Sequence, residues 1–148
     1  MAEAIILGPD DARATFELGT HRGRLLAGSK GTGGAYLAAE WTMDASAPPP
    51  PPHRHERTTE TLLLLEGECE LSDGTRVVKA GPGTSVTVPP GVVHGFTMTK
   101  GPVRIVTVHT PGTDAERLID AMAEAATIDD PVKQLEILAA ADCEVVIQ

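Results

Sequence analysis

The sequence predicts an all-β domain that ends in a short α-helical extension. Between about residues 35 and 110, short apolar runs alternate with Gly, Pro and Asp turn signals, as successive strands require. From Thr113 the apolar residues recur at helical spacing instead. A length of 148 residues suits one domain with its own core. We therefore expect a single domain over 1–148, with a barrel core at about 35–110 and helices at about 113–141.

The first 34 residues predict edge strands and a loop. Two short apolar runs, 4–7 and 24–27, are separated by the turn sequence at 8–11. The glycine-rich stretch 28–34 predicts a mobile loop, and it is no dinucleotide fingerprint because no βαβ unit follows. Since a small open barrel leaves edge strands that need covering, the run 4–7 predicts pairing across chains and hence a homodimer.

The next strands are predicted from alternation and from turns. In 35–43, every second residue from Leu37 to Met43 is apolar, which indicates a half-buried strand. The run 61–66 is apolar throughout, which predicts a strand covered on both faces, with Leu63 and Leu65 against a second layer. Asp73-Gly74 predicts a hairpin, and 84–88 and 103–110 predict the remaining barrel strands.

The end of the chain predicts two helices and a last strand. Thr113-x-x-Glu116 has the pattern of a capping box, and Asp130-Pro131 has the pattern of an N-cap followed by proline at the first helical position. Their apolar stripes are expected to pack on the outside of the barrel. The segment 143–147 could add a strand to this chain or to a neighbouring subunit.

Histidines and one glutamate occur at a spacing that suits a metal site. The segment 48–67 reads His53-x-His55-x4-Glu60-x6-Gly67, after a stiff run of five prolines. In an extended chain, residues two apart share a face, so both imidazoles can point the same way. A third imidazole, His94, follows a Pro-Pro-Gly turn. Three imidazoles and one carboxylate suit a borderline divalent metal such as Fe, Mn, Co, Ni, Cu or Zn.

These two segments resemble the paired motifs of the cupin superfamily. The first motif reads G-x5-H-x-H-x3-4-E-x6-G, and the second reads G-x5-P-x-G-x2-H-x3-N. Ala47 stands at the leading glycine and Met98 at the final asparagine, while the four ligand positions agree. The resemblance implies a cupin double-stranded β-helix, which is a jelly-roll barrel. It also implies that one divalent metal is held by His53, His55, Glu60 and His94.

The resemblance extends to small bacterial cupins that are likened to quercetin 2,3-dioxygenase. It implies a dioxygenase acting on a small enol or flavonol-like aromatic substrate chelated at the metal. Glu60 is the only carboxylate among the proposed ligands, so we expect it to act as base as well as ligand. By strand parity, we expect an apolar substrate pocket formed by Trp41, Leu62, Leu64, Phe96 and Met98. His21 and His109 lie outside the motifs and are interpreted as ordinary residues, although His109 could reach the pocket if its strand face is the inner one.

Two other functions remain open. The metal could act as a Lewis acid in a non-oxidative isomerase, lyase or cyclase, or the chain could bind a small ligand without turnover. The fold alone does not separate these functions, because one barrel hosts many activities.

The composition indicates which partners and which cellular compartment to expect for this protein. A net charge of −9 disfavours binding of nucleic acid through its phosphates, so we expect a small-molecule substrate as partner. We expect no membrane partner, since no apolar run is long enough to cross a bilayer, and a cytoplasmic location, since 1–11 lacks the features of a signal peptide. Cys69 and Cys143 form no Cys-x-x-Cys motif, which predicts two buried thiols rather than a disulfide framework.

Overall fold

The computed structural model describes residues 3–147 as antiparallel strands followed by helices. The strands in chain order are β1 Ala14–Leu18, β2 His21–Ala27, β3 Leu37–Met43, β4 His53–Arg54, β5 Thr59–Ser72, β6 Val77–Ala80, β7 Ser85–Val88, β8 Gly95–Thr110 and β9 Glu144–Val145. The helices are α1 Ser29–Thr32, α2 Gly112–Ala125 and α3 Pro131–Ala140. The predicted all-β class with a C-terminal helical extension is confirmed.

Two long strands, β5 and β8, organise the sheet. Among residues 3–147, seven strands form one sheet in the order β1-β2-β3-β8-β5-β6, and β7 pairs with the first part of β5. The register between β5 and β8 shifts at Glu66 and Glu68, and such bulges let long strands bend. The strands β4 and β9 form a separate two-stranded sheet.

The core lies on the inner face of these strands. The alternation predicted for 35–43 is confirmed, because Leu37, Ala39 and Met43 are buried in β3. The second layer predicted over β5 is wrong, since Leu63 is 38% exposed and Leu65 is only partly buried. The sheet is covered on one face at this point, so only the inward residues of the apolar run are buried. Both cysteines are free and buried, as predicted.

Gly67 explains one fixed position of the motif. Its φ is +80°, a left-handed conformation that side chains with a Cβ disfavour. A Cβ at this position would lie 2.6 Å from the carbonyl oxygen of Pro102 and 2.7 Å from that of Lys100. The bend of β5 against β8 therefore requires glycine here.

The N-terminal prediction is wrong in two places. The run 4–7 is not a strand, and β1 lies later in the chain, where it forms a hairpin with β2 through Gly19 at φ +64°. This local hairpin occupies the side of β2 that β3 leaves free. The expected loop contains the short helix α1, and the Ser29 amide at its start donates a hydrogen bond of 2.8 Å to the Glu116 carboxylate. The homodimer stays a prediction.

The C-terminal helices begin close to the predicted positions, but with different caps. Asp130 caps α3 as predicted, accepting hydrogen bonds from the Val132 and Lys133 amides. The prediction of a capping box at Thr113 is wrong, because α2 already begins at Gly112 and the Glu116 side chain binds Ser29 instead.

The closing strand β9 pairs with β4 of the same chain. The helix α2 packs through Ala115 against Leu37 and Ala39, next to the pocket described below. In the part of the chain that the structure describes, no helix has the length and apolarity needed to cross a bilayer.

Candidate metal centre

Three strands and the segments beside them bring the four predicted ligands together. His53 lies in β4, His55 follows that strand by one residue, and Glu60 lies near the start of β5. His94 precedes β8 and exchanges two backbone hydrogen bonds with His53, of 3.0 and 2.8 Å. The turn before His94 is tied to the same segment, since the Gly91 amide donates to the carbonyl of His55 at 2.7 Å. The two motifs are thus joined by their backbones.

The four side chains converge on one point. Their potential ligand atoms all lie within 4.8 Å of one another. Glu60 Oε2 lies 3.3 Å from His55 Nε2 and 3.0 Å from His94 Nε2, and the His53 and His94 rings are 4.4 Å apart between centroids. His55, Glu60 and His94 are buried, whereas His53 is partly exposed.

The imidazole orientations suit metal ligation through Nε2. In each ring Nδ1 faces a backbone carbonyl oxygen: that of Pro51 at 3.0 Å from His53, that of Asp142 at 2.6 Å from His55, and that of Val92 at 3.0 Å from His94. A carbonyl oxygen only accepts, so Nδ1 carries the hydrogen and donates it. Nε2 is then the nitrogen left to coordinate a metal, and its partner fixes the ring, as in known histidine ligands. The residues present therefore fit a divalent ion.

The electrostatics favour the same interpretation. Burial raises the pKa of Glu60, but hydrogen bonds to His55 and His94 outweigh burial and hold that pKa well below its ordinary value. Burial, with the neighbouring His94, lowers the pKa of His53 to about 4. Burial also lowers the pKa of His55, but the hydrogen bonds to Glu60 and to the Asp142 carbonyl, together with the charges of both carboxylates, outweigh burial and leave that pKa raised. Metal binding through Nε2 of His55 therefore competes with protonation of that ring.

His109 joins the site from β8, so its interpretation as an ordinary residue is corrected. It is the register partner of Glu60, and its Nε2 lies 3.5 Å from Glu60 Oε1. Its Nδ1 is buried and has no hydrogen-bond partner within residues 3–147. Burial lowers the pKa of His109, which favours the neutral ring. The sequence feature that could have identified His109 is the alternation along 103–110, which places His109 on the same strand face as Ile105.

An apolar pocket of about 120 Å³ opens beside the cluster. His53, His55, Glu60 and His109 bound it on one side. Its other walls are mostly apolar and come from the barrel and from α2: Leu37, Trp41, Leu62, Phe96, Ile105, Leu118 and Met122.

Three of the five predicted pocket residues line this space, and two do not. Trp41, Leu62 and Phe96 line it, whereas Leu64 and Met98 are buried in the barrel core. Parity put both on the correct face, but each lies four residues from a predicted ligand along its strand. At about 3.3 Å per residue, that is roughly 13 Å away, beyond the pocket.

Asp142 is a further residue that the sequence did not indicate. It lies between α3 and β9, buried, and its carboxylate accepts hydrogen bonds from the amides of Glu56, Arg57 and Thr58. Burial raises the pKa of Asp142, but these bonds and the one from the Thr58 hydroxyl outweigh burial and lower it. No sequence motif connects Asp142 with a histidine 87 residues earlier in the chain.

Comparisons with known proteins agree with this geometry. Residues 39–109 match the family model described as a cupin domain. KdgF from Halomonas sp. superposes with a TM-score of 0.65 at 17% identity, over 75% of this chain and 99% of that chain. An RmlC-like cupin from Shewanella frigidimarina superposes with a TM-score of 0.60 at 21% identity, over 75% of this chain and 95% of that chain. The expected cupin fold is confirmed.

A third structure is more similar in sequence. The polyketide cyclase RemF from Streptomyces resistomycificus is 27% identical, with a TM-score of 0.51, over 62% of this chain and 65% of that chain. No curated protein matches this sequence. The resemblance to quercetin 2,3-dioxygenases stays a prediction.

Proposed function

We propose that this chain is a metal-dependent enzyme, on the ground that residues 39–109 match a cupin domain. The enzyme would move a proton on a small carbonyl compound and would not use dioxygen. Such a reaction belongs to an isomerase, lyase or cyclase. The position of Glu60 carries the proposal. One of its carboxylate oxygens faces the imidazoles and the other faces His109 at the pocket wall.

The proposed metal ligands are His53, His55, Glu60 and His94. A bound divalent ion would supply Lewis-acid polarisation of a carbonyl or enol oxygen, which makes the neighbouring C–H or O–H more acidic. Four protein ligands leave one or two positions on a five- or six-coordinate ion, as in working rather than structural sites. The ligand set accepts Fe, Mn, Co, Ni, Cu or Zn.

Glu60 is the group that would accept the proton. Its pKa lies well below the ordinary value, so the carboxylate is ionised at neutral pH and can take up a proton. A low pKa also makes it a weak base, so the proposed step depends on the bound ion making the substrate proton more acidic. His109 lies 3.5 Å from Oε1 and would hold that oxygen toward the pocket. An ionised carboxylate only accepts, so the hydrogen of the neutral His109 ring belongs on Nε2.

The pocket favours a small substrate. Its volume of about 120 Å³ lies below the ~300–1,000 Å³ of pockets that take drug-sized ligands. The apolar walls exclude water and so strengthen the electrostatic interactions within the site. A compact β-dicarbonyl compound suits this space better than a flavonol does.

Sequence similarity supports the non-oxidative class. RemF, which is described as a polyketide cyclase, is 27% identical in sequence to this chain. Closing a ring between a carbonyl and an activated carbon requires removal of a proton but no oxidant. The same arrangement of base, imidazoles and apolar pocket would serve such a step here.

The second candidate is the dioxygenase that the sequence resemblance implied. Its support is the mostly apolar pocket wall, which would admit dioxygen and a flat enol beside the ligand cluster. A small-ligand binding protein without turnover would use the same contacts.

Turnover under argon separates these functions. We expect metal-loaded protein to convert at least one member of a panel of small β-dicarbonyl compounds at the same rate with and without dioxygen. Turnover that requires and consumes dioxygen would favour the dioxygenase instead. Binding of the panel without conversion in either atmosphere would favour the binding protein.

A further inference from the structure

One residue, Asp142, contacts both the ring of a predicted ligand and the backbone that follows it. Its carbonyl oxygen accepts the Nδ1–H of His55 at 2.6 Å, between two buried groups. This hydrogen bond fixes the rotation of the ring and leaves Nε2 toward the cluster. Metal ligands of this type depend on such partners for their orientation.

The carboxylate of Asp142 holds the loop between His55 and Glu60. Oδ1 accepts from the Glu56 amide at 2.9 Å and the Arg57 amide at 3.1 Å. Oδ2 accepts from the Thr58 amide at 3.1 Å and the Thr58 hydroxyl at 2.7 Å. Three consecutive backbone N–H groups are therefore satisfied by one side chain, and they connect the second predicted ligand to the third.

The backbone of Asp142 is itself unusual. Its φ of +64° lies in the left-handed region, and within residues 3–147 no other non-glycine residue has a positive φ. This conformation is disfavoured for a residue with a Cβ, although Asp and Asn tolerate it best. The contacts of its carbonyl and carboxylate offset that strain, which ties the local conformation to the metal centre.

The residues after Asp142 support the first predicted ligand. The strand β9 pairs His53 with Val145, and the Val146 amide donates to the Pro52 carbonyl at 2.8 Å. Glu144 accepts two hydrogen bonds from Arg54, of 2.9 and 2.8 Å. The segment 142–146 thus contacts the backbone on both sides of His53 as well as the ring of His55.

From these contacts we propose that Asp142 is a positioning residue of the metal centre, which sets metal affinity by fixing the His55 ring and the loop from 56 to 58. The inference rests on the proposed ligands His53, His55, Glu60 and His94. It adds that a segment outside both sequence motifs completes their site.

A purely structural role makes a different prediction. If Asp142 only stabilised the fold, its loss would lower the melting temperature but leave the metal affinity of the folded protein unchanged. If it positions His55, the affinity falls even at temperatures where the variant is fully folded. The dissociation constant for Zn²⁺, measured in competition with a chromophoric chelator, distinguishes the two roles.

The test uses two variants of Asp142 and one matched control. Asp142→Gly keeps the left-handed backbone without strain but removes every carboxylate contact. Asp142→Asn also tolerates this backbone, but it can place an NH₂ group against the Thr58 amide and hydroxyl. Asp130→Ala is the control. The Asp130 carboxylate accepts hydrogen bonds from two backbone N–H groups at the start of α3 and contacts no predicted ligand.

Both Asp142 variants keep the carbonyl that accepts from His55 but disturb the carboxylate contacts to the loop 56–58. We expect the His55 ring to be held less firmly and Zn²⁺ to bind roughly 10–100-fold more weakly than in wild type, the range found for changes to the outer partners of metal ligands. Asp130→Ala should lower the melting temperature and keep the wild-type dissociation constant. In Co²⁺-loaded protein, the visible spectrum should change in Asp142→Gly and not in Asp130→Ala. If Asp142→Gly does not fold, Thr58→Val removes only the 2.7 Å hydroxyl contact and should still weaken Zn²⁺ binding.

Equal Zn²⁺ affinity in wild type, Asp142→Gly and Asp142→Asn would overturn the inference and leave the proposed metal centre standing. For Thr58→Val, an unchanged dissociation constant would have the same consequence. If the wild-type protein bound no Zn²⁺ or Co²⁺, the proposed centre would fail, and the positioning role would fail with it.

Discussion

Replacing Glu60 with glutamine is expected to lower activity by a factor of roughly 10²–10⁴ while a substantial part of the metal stays bound. Glutamine keeps the size of the side chain and one oxygen donor, but it cannot accept a proton as a carboxylate does. Activity on the converted β-dicarbonyl compound and metal content are to be measured on the same preparation. A large loss of rate at retained metal content identifies Glu60 as a base as well as a ligand.

Glu56→Gln is the matched control for this variant. Glu56 lies four residues before Glu60 on the same connection, but its side chain is exposed and pairs with Arg54 at 2.9 Å. We expect wild-type activity from it, since exposed ion pairs contribute little. Wild-type turnover by metal-loaded Glu60→Gln, or inactivation by Glu56→Gln instead, would refute the assignment of the base and leave the metal ligands unaffected.

Replacing His55 with alanine is expected to abolish most metal binding. The variant retains three of the four ligands, and it exposes a buried space where the imidazole joined Glu60 to the Asp142 carbonyl. Metal binding requires several deprotonated ligands in one geometry, so removing one of four weakens it strongly. Elemental analysis after gel filtration measures the loss, with circular dichroism to establish that the variant is folded.

His21→Ala controls for the loss of a histidine from the same region. His21 lines the pocket but is not among the four clustered ligands. We expect this variant to retain the metal content of wild type. Full metal occupancy in folded His55→Ala, or equal loss in His21→Ala, would show that the four residues do not form the site.

The sequence predicted the ligands because their spacing follows from local geometry. His53 and His55 are two residues apart on an extended segment, and Glu60 returns after one loop. A proline-glycine turn fixes where His94 enters. Strand period and turn chemistry show that these side chains can meet, and the resemblance to the two cupin motifs implied that all four are metal ligands.

The remaining parts of the site depend on contacts that span the chain. His109 reaches Glu60 through the pairing of β5 with β8, and Asp142 reaches His55 from beyond α3. Neither contact follows from spacing, because strand register and helix placement are set by the packed core. Parity assigned Leu64 and Met98 to the correct face, but it gives no position along the strand relative to the pocket.

Two errors outside the site have different origins. The run 4–7 is apolar enough for a strand, but β1 forms from a less apolar segment because a tight turn at Gly19 places it beside β2. Glu116 fits a capping pattern, but its carboxylate accepts hydrogen bonds from Ser29, which is distant in the sequence. A local hairpin decides the first case, and a contact between distant parts of the chain decides the second.

X-ray absorption spectroscopy at the edge of the bound ion tests the metal centre most directly. The protein is to be purified without a chelating tag from metal-replete cells, so that the ion is the one it selects. We expect about one ion per chain, with nitrogen and oxygen neighbours at roughly 2.0–2.2 Å and the scattering pattern of three imidazoles. Absence of a bound ion, or a sulfur neighbour such as the nearby Cys143 thiolate would supply, would contradict a centre built from His53, His55, Glu60 and His94.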